Sequence, residues 1–268
     1  IHSGDWSSDV CSSDLYGATS DVTAAGLSQA LGQARHWARL SAGRSVMDFD
    51  RLHPPHPTGE YAGPNEMPWT RSTLGEKMDM LRWLCGRLKI DERVVDWSAS
   101  LWHTETDTLL VTNRGGRVLQ RMHYLVPDLN VTANHRARTQ TRSYHGRGLC
   151  RQGGLEVLNQ ADYHDAPPRL AAEALELLAA GDCPDGPTDL LLDADQMLLQ
   201  VHESIGHPLE TDRILGDERN YAGTSFVTKD MLGSYQYGSE LLNVTFDPTN
   251  ASQFASYGWD DDGTPALK

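Results

Sequence analysis

Residues 94–126 read VVDWSASLWHTETDTLLVTNRGGRVLQRMHYLV, and within them the hydrophobic period changes from helical to alternating. Residues 94–105, 108–113 and 118–126 read as successive antiparallel strands, followed by a fourth at 138–144. Arg114-Gly115-Gly116 joins the middle two as a hairpin. Trp97 and Trp102 lie at odd separation, so a regular strand turns them to opposite faces. Arg136, Arg138, Arg142, Arg147 and Arg151 make a local basic segment, read as a solvated strand face, with capture of a peptide carboxylate as the alternative.

On the N-terminal side of these strands the pattern is helical. Ser20 is positioned to cap a helix running to about Ala42, stopped by Gly43, with Leu27, Leu31, Ala34, Trp37 and Ala38 on one face. Residues 44–71 are proline-rich and unperiodic and read as a loop, including His53 and His56. Thr73 and Glu76 form a capping box for a second helix, with Met78, Leu81, Leu84, Cys85 and Leu88 inward. The first fifteen residues, rich in Ser and Asp, resemble a translated sequencing adapter and are set aside from the fold, Cys11 and His2 with them.

Beyond the strands, Pro167 and Pro168 open a third helix with Leu170, Ala174, Leu177 and Leu178 inward, closed by Gly181. Residues 182–188, with Gly186 and two prolines, make the best boundary in the chain. The division expected is 1–15 artefact, 16–181 an N-terminal helix and antiparallel-sheet domain, 182–188 a linker and 189–268 a second domain. The second domain opens with a short strand at 190–192, carries a helix, and continues from Gly216 in short alternating runs that suggest β structure. The order of elements reads as an α+β fold.

Composition narrows the function. The net charge of -14 argues against nucleic acid or an anionic membrane as partner. No apolar run approaches a membrane span. The 4 cysteines are scattered, without a C-x-x-C pair, which suits reduced thiols in a cytoplasmic protein.

Chemistry concentrates in residues 193–212, DADQMLLQVHESIGHPLETD. Asp193 and Asp195 are suited to an N-cap, and Met197, Val201 and Ile205 recur four apart with Leu198 beside them, as one face of a buried helix. His202, Glu203 and His207 follow. Two neutral imidazoles on one metal, with a carboxylate beside them to deprotonate a water, are what a metallopeptidase requires. Histidines five apart on an ideal helix point about 140° away from each other. Gly206 allows the backbone to unwind and Pro208 disfavours the helical region for His207, so the helix is expected to end near Ile205 or Gly206 with His207 folding back towards His202.

The pattern H-E-x-x-G-H-x-x-E-x-D, then Gly216, Ala222-Gly223-Thr224-Ser225 and Asp261-Asp262-Gly263-Thr264-Pro265, resembles the TldD/PmbA family of metallopeptidases. The Asn113-Arg114-Gly115 turn is similar to that family as well. The resemblance implies a two-domain zinc peptidase, acting on peptides or unfolded segments as a homodimer or as a heterodimer with a paralogue lacking the histidine motif. It implies that His202 and His207 bind Zn2+ and that Glu203 activates water. The family's third ligand, a cysteine, has no match here and is expected beyond Lys268, so the chain is expected to be a fragment cut at both ends and inactive alone. Glu210 and Asp212 are read as partners orienting an imidazole, with direct ligation as the alternative. A non-catalytic binding or assembly subunit, and a metal hydrolase acting on a non-peptide amide, are the competing functions.

Overall fold

The computed structural model describes residues 16–42, 44, 55–144, 149–160 and 162–268. The adapter-like residues, Gly43, His53 and Arg147 lie outside them. Contacts divide the chain into two compact units, Ile1–His53 with Met197–Asn243 and Pro54–Gln196 with Val244–Lys268. Residues 182–188 fall inside the second.

The second unit is built on an open mixed sheet. Its strands are β1 (Thr58–Ala62), β2 (Val94–Val111), β3 (Arg117–His135), β4 (Arg138–Ser143) and β5 (Arg151–Gln152). β3 is the hub: β1 pairs with it in parallel, whereas β2, β4 and β5 pair antiparallel. The strands expected at 94–105 and 108–113 are therefore one, because Thr106 and Asp107 pair with Met122 and Arg121 without interruption. The hairpin forms as expected, with Gly115 at φ 89°, a conformation glycine adopts without a side-chain clash. The parallel strand β1 corrects the loop reading of 44–71. Its five residues are too short to show a period and become a strand through their pairing with β3.

Two helices cover one face of this sheet. Helix α2 (Leu74–Leu88) starts with the complete Thr73/Glu76 capping box and buries Leu84 and Leu88, while Met78 is exposed. After the short α3 (Val157–Gln160), helix α4 (Ala166–Ala179) has proline in its first turn and buries Leu170, Ala171, Ala174 and Leu178. These pack with Val94, Leu125, Leu129, Val131, Ala133, Tyr144 and Tyr163 in one core. Two arginines of the basic segment act as clamps: Arg142 Nη2 lies 2.7 Å from Glu173 Oε2 on α4, and Arg138 Nη2 lies 3.2 Å from Asp182 Oδ1. His56 is no solvated loop residue either, since its Nδ1 is 2.7 Å from Thr112 Oγ1 in the hairpin.

The β structure expected within 189–268 is replaced by turns and helices. Among the described residues of this stretch only isolated bridges form, Arg151 with Gln253 and Trp259 with Pro265. Leu190 and Leu191 are exposed and belong to no strand. Residues 244–268 bind the sheet through side chains instead of a ladder. Buried Gln120 accepts the N–H groups of Gly258 and Trp259 at 2.9 Å and donates to the Trp259 carbonyl, and buried Gln152 donates to the carbonyls of Phe254 and Ser256.

In the first unit, helix α1 (Ala24–Ser41) is capped by Thr23, not Ser20. The Asp21 N–H bonds Thr19 Oγ1 and the Thr23 N–H bonds Asp21 Oδ1, so side-chain turns occupy the segment before the helix starts. Gly26 and Ala30 are its buried residues, whereas the expected inner positions Leu27, Leu31 and Trp37 are more than half exposed.

Candidate metal site

The motif begins on helix α5 (Ala194–Val201), whose first N–H, that of Ala194, bonds the Asp193 carboxylate at 2.8 Å. Met197, Val201 and Ile205 form its half-buried stripe, shallower than the buried face expected. The chain then widens into a π-turn, His202–Gly206, in which the His207 N–H bonds the His202 carbonyl. A 3-10 turn, His207–Leu209, and the short helix α6 (Thr211–Leu215) follow, and Gly216 closes α6 at φ 88°.

That turn corrects the expected geometry while reaching the expected result. Gly206 and His207 both keep right-handed helical angles, His207 at φ -58° and ψ -43°. The helix does not end; it takes one extra residue into the turn, so residues five apart come to lie above one another. Pro208 is accommodated in the first turn of the 3-10 segment, where it needs no N–H.

The turn brings His202, Glu203 and His207 together. The two imidazole rings stand 4.4 Å apart at 75°, and each Nε2 is 3.9 Å from a Glu203 carboxylate oxygen. One ligand atom from each of the three lies within 4.8 Å of the others. His202 and Glu203 are exposed to solvent and His207 is about a quarter exposed. Ligand atoms on one tetrahedral ion stand roughly 3–4 Å apart, so small rotations of the exposed side chains suffice to close the set.

His207 is also held from behind. Its Nδ1 is 2.6 Å from Glu210 Oε1, and the other Glu210 oxygen accepts from Arg213 Nε at 2.7 Å. A ring that donates Nδ1–H to a carboxylate presents Nε2 as its free lone pair, the arrangement common behind metal-binding histidines. Arg213 continues outward to the Ala222 carbonyl at 3.0 Å and to Glu218 at 3.6 Å. The Asp212 carboxylate accepts the Arg213 N–H and groups with Glu210 and Glu218. Glu218 is buried, and neither of its oxygens has a hydrogen-bond donor. Burial, then the nearby charges of Asp212 and Glu210, raise its pKa above the ordinary 4.5.

Arg213 and Glu218 escape sequence reading. Arg213 leaves a faint local signal, standing three residues after Glu210 on the same helical turn. Glu218 leaves none, because its burial is a property of the surrounding loop.

The residues of this site fall within a segment with known relatives. Residues 185–268 match the PmbA/TldA metallopeptidase C-terminal domain. A metalloprotease of Methanocaldococcus jannaschii is 28% identical over 178 residues, which is 66% of this chain and 37% of the relative. A metalloprotease of Methanothermobacter thermautotrophicus is 32% identical over 117 residues, 43% of this chain and 24% of the relative. The chain thus spans well under half the length of these relatives. A solved structure from Thermotoga maritima, described as a candidate modulator of a DNA gyrase, aligns with 60% of this chain and 34% of its own at 18% identity and a TM-score of 0.41. The chain is similar to metallopeptidases of the PmbA/TldD family over its motif-bearing segment. No described helix is long and apolar enough to cross a membrane.

Proposed function

We propose that this chain carries the hydrolytic motif of a zinc-dependent peptidase, with His202 and His207 as metal ligands and Glu203 as the base. The observation that carries the reading is the π-turn, which gathers two imidazoles and a carboxylate within 4.8 Å in a segment similar to metallopeptidases. The donor set fits the ion: imidazole nitrogens suit zinc, and the Glu210 contact leaves His207 Nε2 available. Among the described residues no cysteine joins either cluster of candidate ligands. A bound metal at such a site polarises a peptide carbonyl and acidifies a water. Glu203, exposed and 3.9 Å from both imidazoles, takes the proton of the attacking water and passes it to the departing amine nitrogen. Glu210 keeps the His207 ring oriented through Nδ1, and Arg213 keeps Glu210 in place.

Cleavage of an unstructured peptide by the complete protein, compared with Glu203→Gln, tests the mechanism. The variant is expected to lose activity by about 10²–10⁴-fold while retaining zinc. Undiminished cleavage would overturn the role of Glu203.

A further inference from the structure

The π-turn leaves one carbonyl without its usual partner, and a distant side chain supplies it. In a continuous α-helix the Ser204 carbonyl accepts the N–H of residue 208, but residue 208 is proline and has none. The His207 N–H is committed to His202. Tyr237, 33 residues further along, donates its hydroxyl to the Ser204 carbonyl. Its ring is held by Phe226, with centroids 5.6 Å apart, and by Tyr235 at 6.3 Å. Gln200 Nε2, one turn earlier, bonds Ser204 Oγ at 2.5 Å, so Ser204 is fixed from its side chain as well as its carbonyl. Burial raises the pKa of the Tyr237 hydroxyl above 10.0, which keeps it a donor at neutral pH.

We propose that Tyr237 is a positioning residue of the candidate metal site, its hydroxyl latching the Ser204 carbonyl so that the widened turn persists and His202 and His207 stay side by side. The consequence for metal binding rests on the reading of those histidines as ligands; the consequence for the turn does not. Proline at 208 and tyrosine at 237 act as a pair: the one removes a main-chain donor to the Ser204 carbonyl, and the other replaces it. No local sequence pattern connects them.

The test uses the complete protein in three forms, wild type, Tyr237→Phe and Tyr237→Phe with Pro208→Ala. Amide hydrogen exchange of His207 in the metal-free protein reads the turn, and competition with a chromophoric chelator reads Zn2+ affinity. Tyr237→Phe keeps the ring and removes the hydroxyl; it is expected to speed His207 exchange by roughly five- to tenfold and to weaken zinc by about tenfold. The second substitution returns an N–H that can serve Ser204, and most of both losses should be recovered. Unchanged His207 exchange in Tyr237→Phe, or a loss that Pro208→Ala does not recover, overturns the latch whatever the zinc result. If exchange responds as expected but the wild type takes up no zinc, the metal assignment fails and the latch stands. Should Tyr237→Phe not fold, Pro208→Ala is compared with the double variant; equal His207 exchange supports the latch, and a difference overturns it.

Discussion

Glu156 of the sheet unit and Glu218 of the motif unit are both buried carboxylates, yet they are treated in opposite ways. Glu156 accepts the N–H groups of Glu66 at 3.1 Å, Met67 at 2.7 Å and Gly154 at 2.8 Å. Its burial penalty is overcome by these bonds, and its pKa lies below the ordinary value. Glu218 has no hydrogen-bond donor, faces Asp212 and Glu210, and its pKa is raised. The same difference runs through the two regions. The sheet and its helices bury a continuous apolar core, whereas the π-turn, the 3-10 turn and α6 contain no fully buried residue and are held by polar contacts. Apolar packing excludes water from the sheet unit; in the motif unit polar contacts leave His202 exposed and His207 partly so, while Glu210 sets the direction of the His207 ring.

The contrast breaks most easily in the core. Leu129→Ala, at a site with no solvent exposure, is expected to lower stability by about 3 kcal/mol in urea unfolding, and a loss below about 1 kcal/mol would show that the sheet is not the stabilising region. Glu156→Gln preserves size but sets an amide NH2 group against backbone donors, so a loss of about 2 kcal/mol is expected by the same measurement; a neutral result would remove the distinction between the two carboxylates.

A pH titration sharpens the core side. Burial pushes the Tyr144 hydroxyl from 10.0 up to about 12. A raised folded-state pKa contributes stability that is fully present below pH 10 and is lost as pH rises through about 12. Circular dichroism and tyrosinate absorbance followed together should show unfolding in that window. A folded protein whose tyrosines all ionise near pH 10 would contradict it. The smallest effect is expected at Glu218→Gln, which should leave stability within about 1 kcal/mol of wild type or raise it, because an ionised group beside two like charges is removed. The wild-type carboxyl favours the folded state below pH 4.5 and loses that increment as pH rises through its elevated value, and the variant should lack this slope. A large loss in the variant would mean that the 3.6 Å contact with Arg213 outweighs the repulsion.

Features whose partners are close in sequence were legible. The Thr73/Glu76 box, the proline start of α4 and the turn at Gly115 each depend on contacts within about one turn of chain. The meeting of His202 and His207 was legible too, although its route was misread. Gly206 and Pro208 signal an irregular helix, but whether it unwinds or widens depends on where the freed carbonyl finds a donor. The strand at Thr58–Ala62, the unbroken length of Val94–Val111 and the side-chain anchoring of residues 244–268 by Gln120 and Gln152 depend on chain segments far away.

The sequence by itself determined which donor groups the motif offers, two imidazoles and a carboxylate, because side-chain type fixes them, and it determined the start of α2, because that cap acts over three residues. Only the tertiary structure decided how the histidines converge, which side chains stand behind them and which carboxylate is left without donors. Those outcomes turn on hydrogen bonds across long separations, such as that from Tyr237 to Ser204, and on burial, which no short stretch of chain specifies.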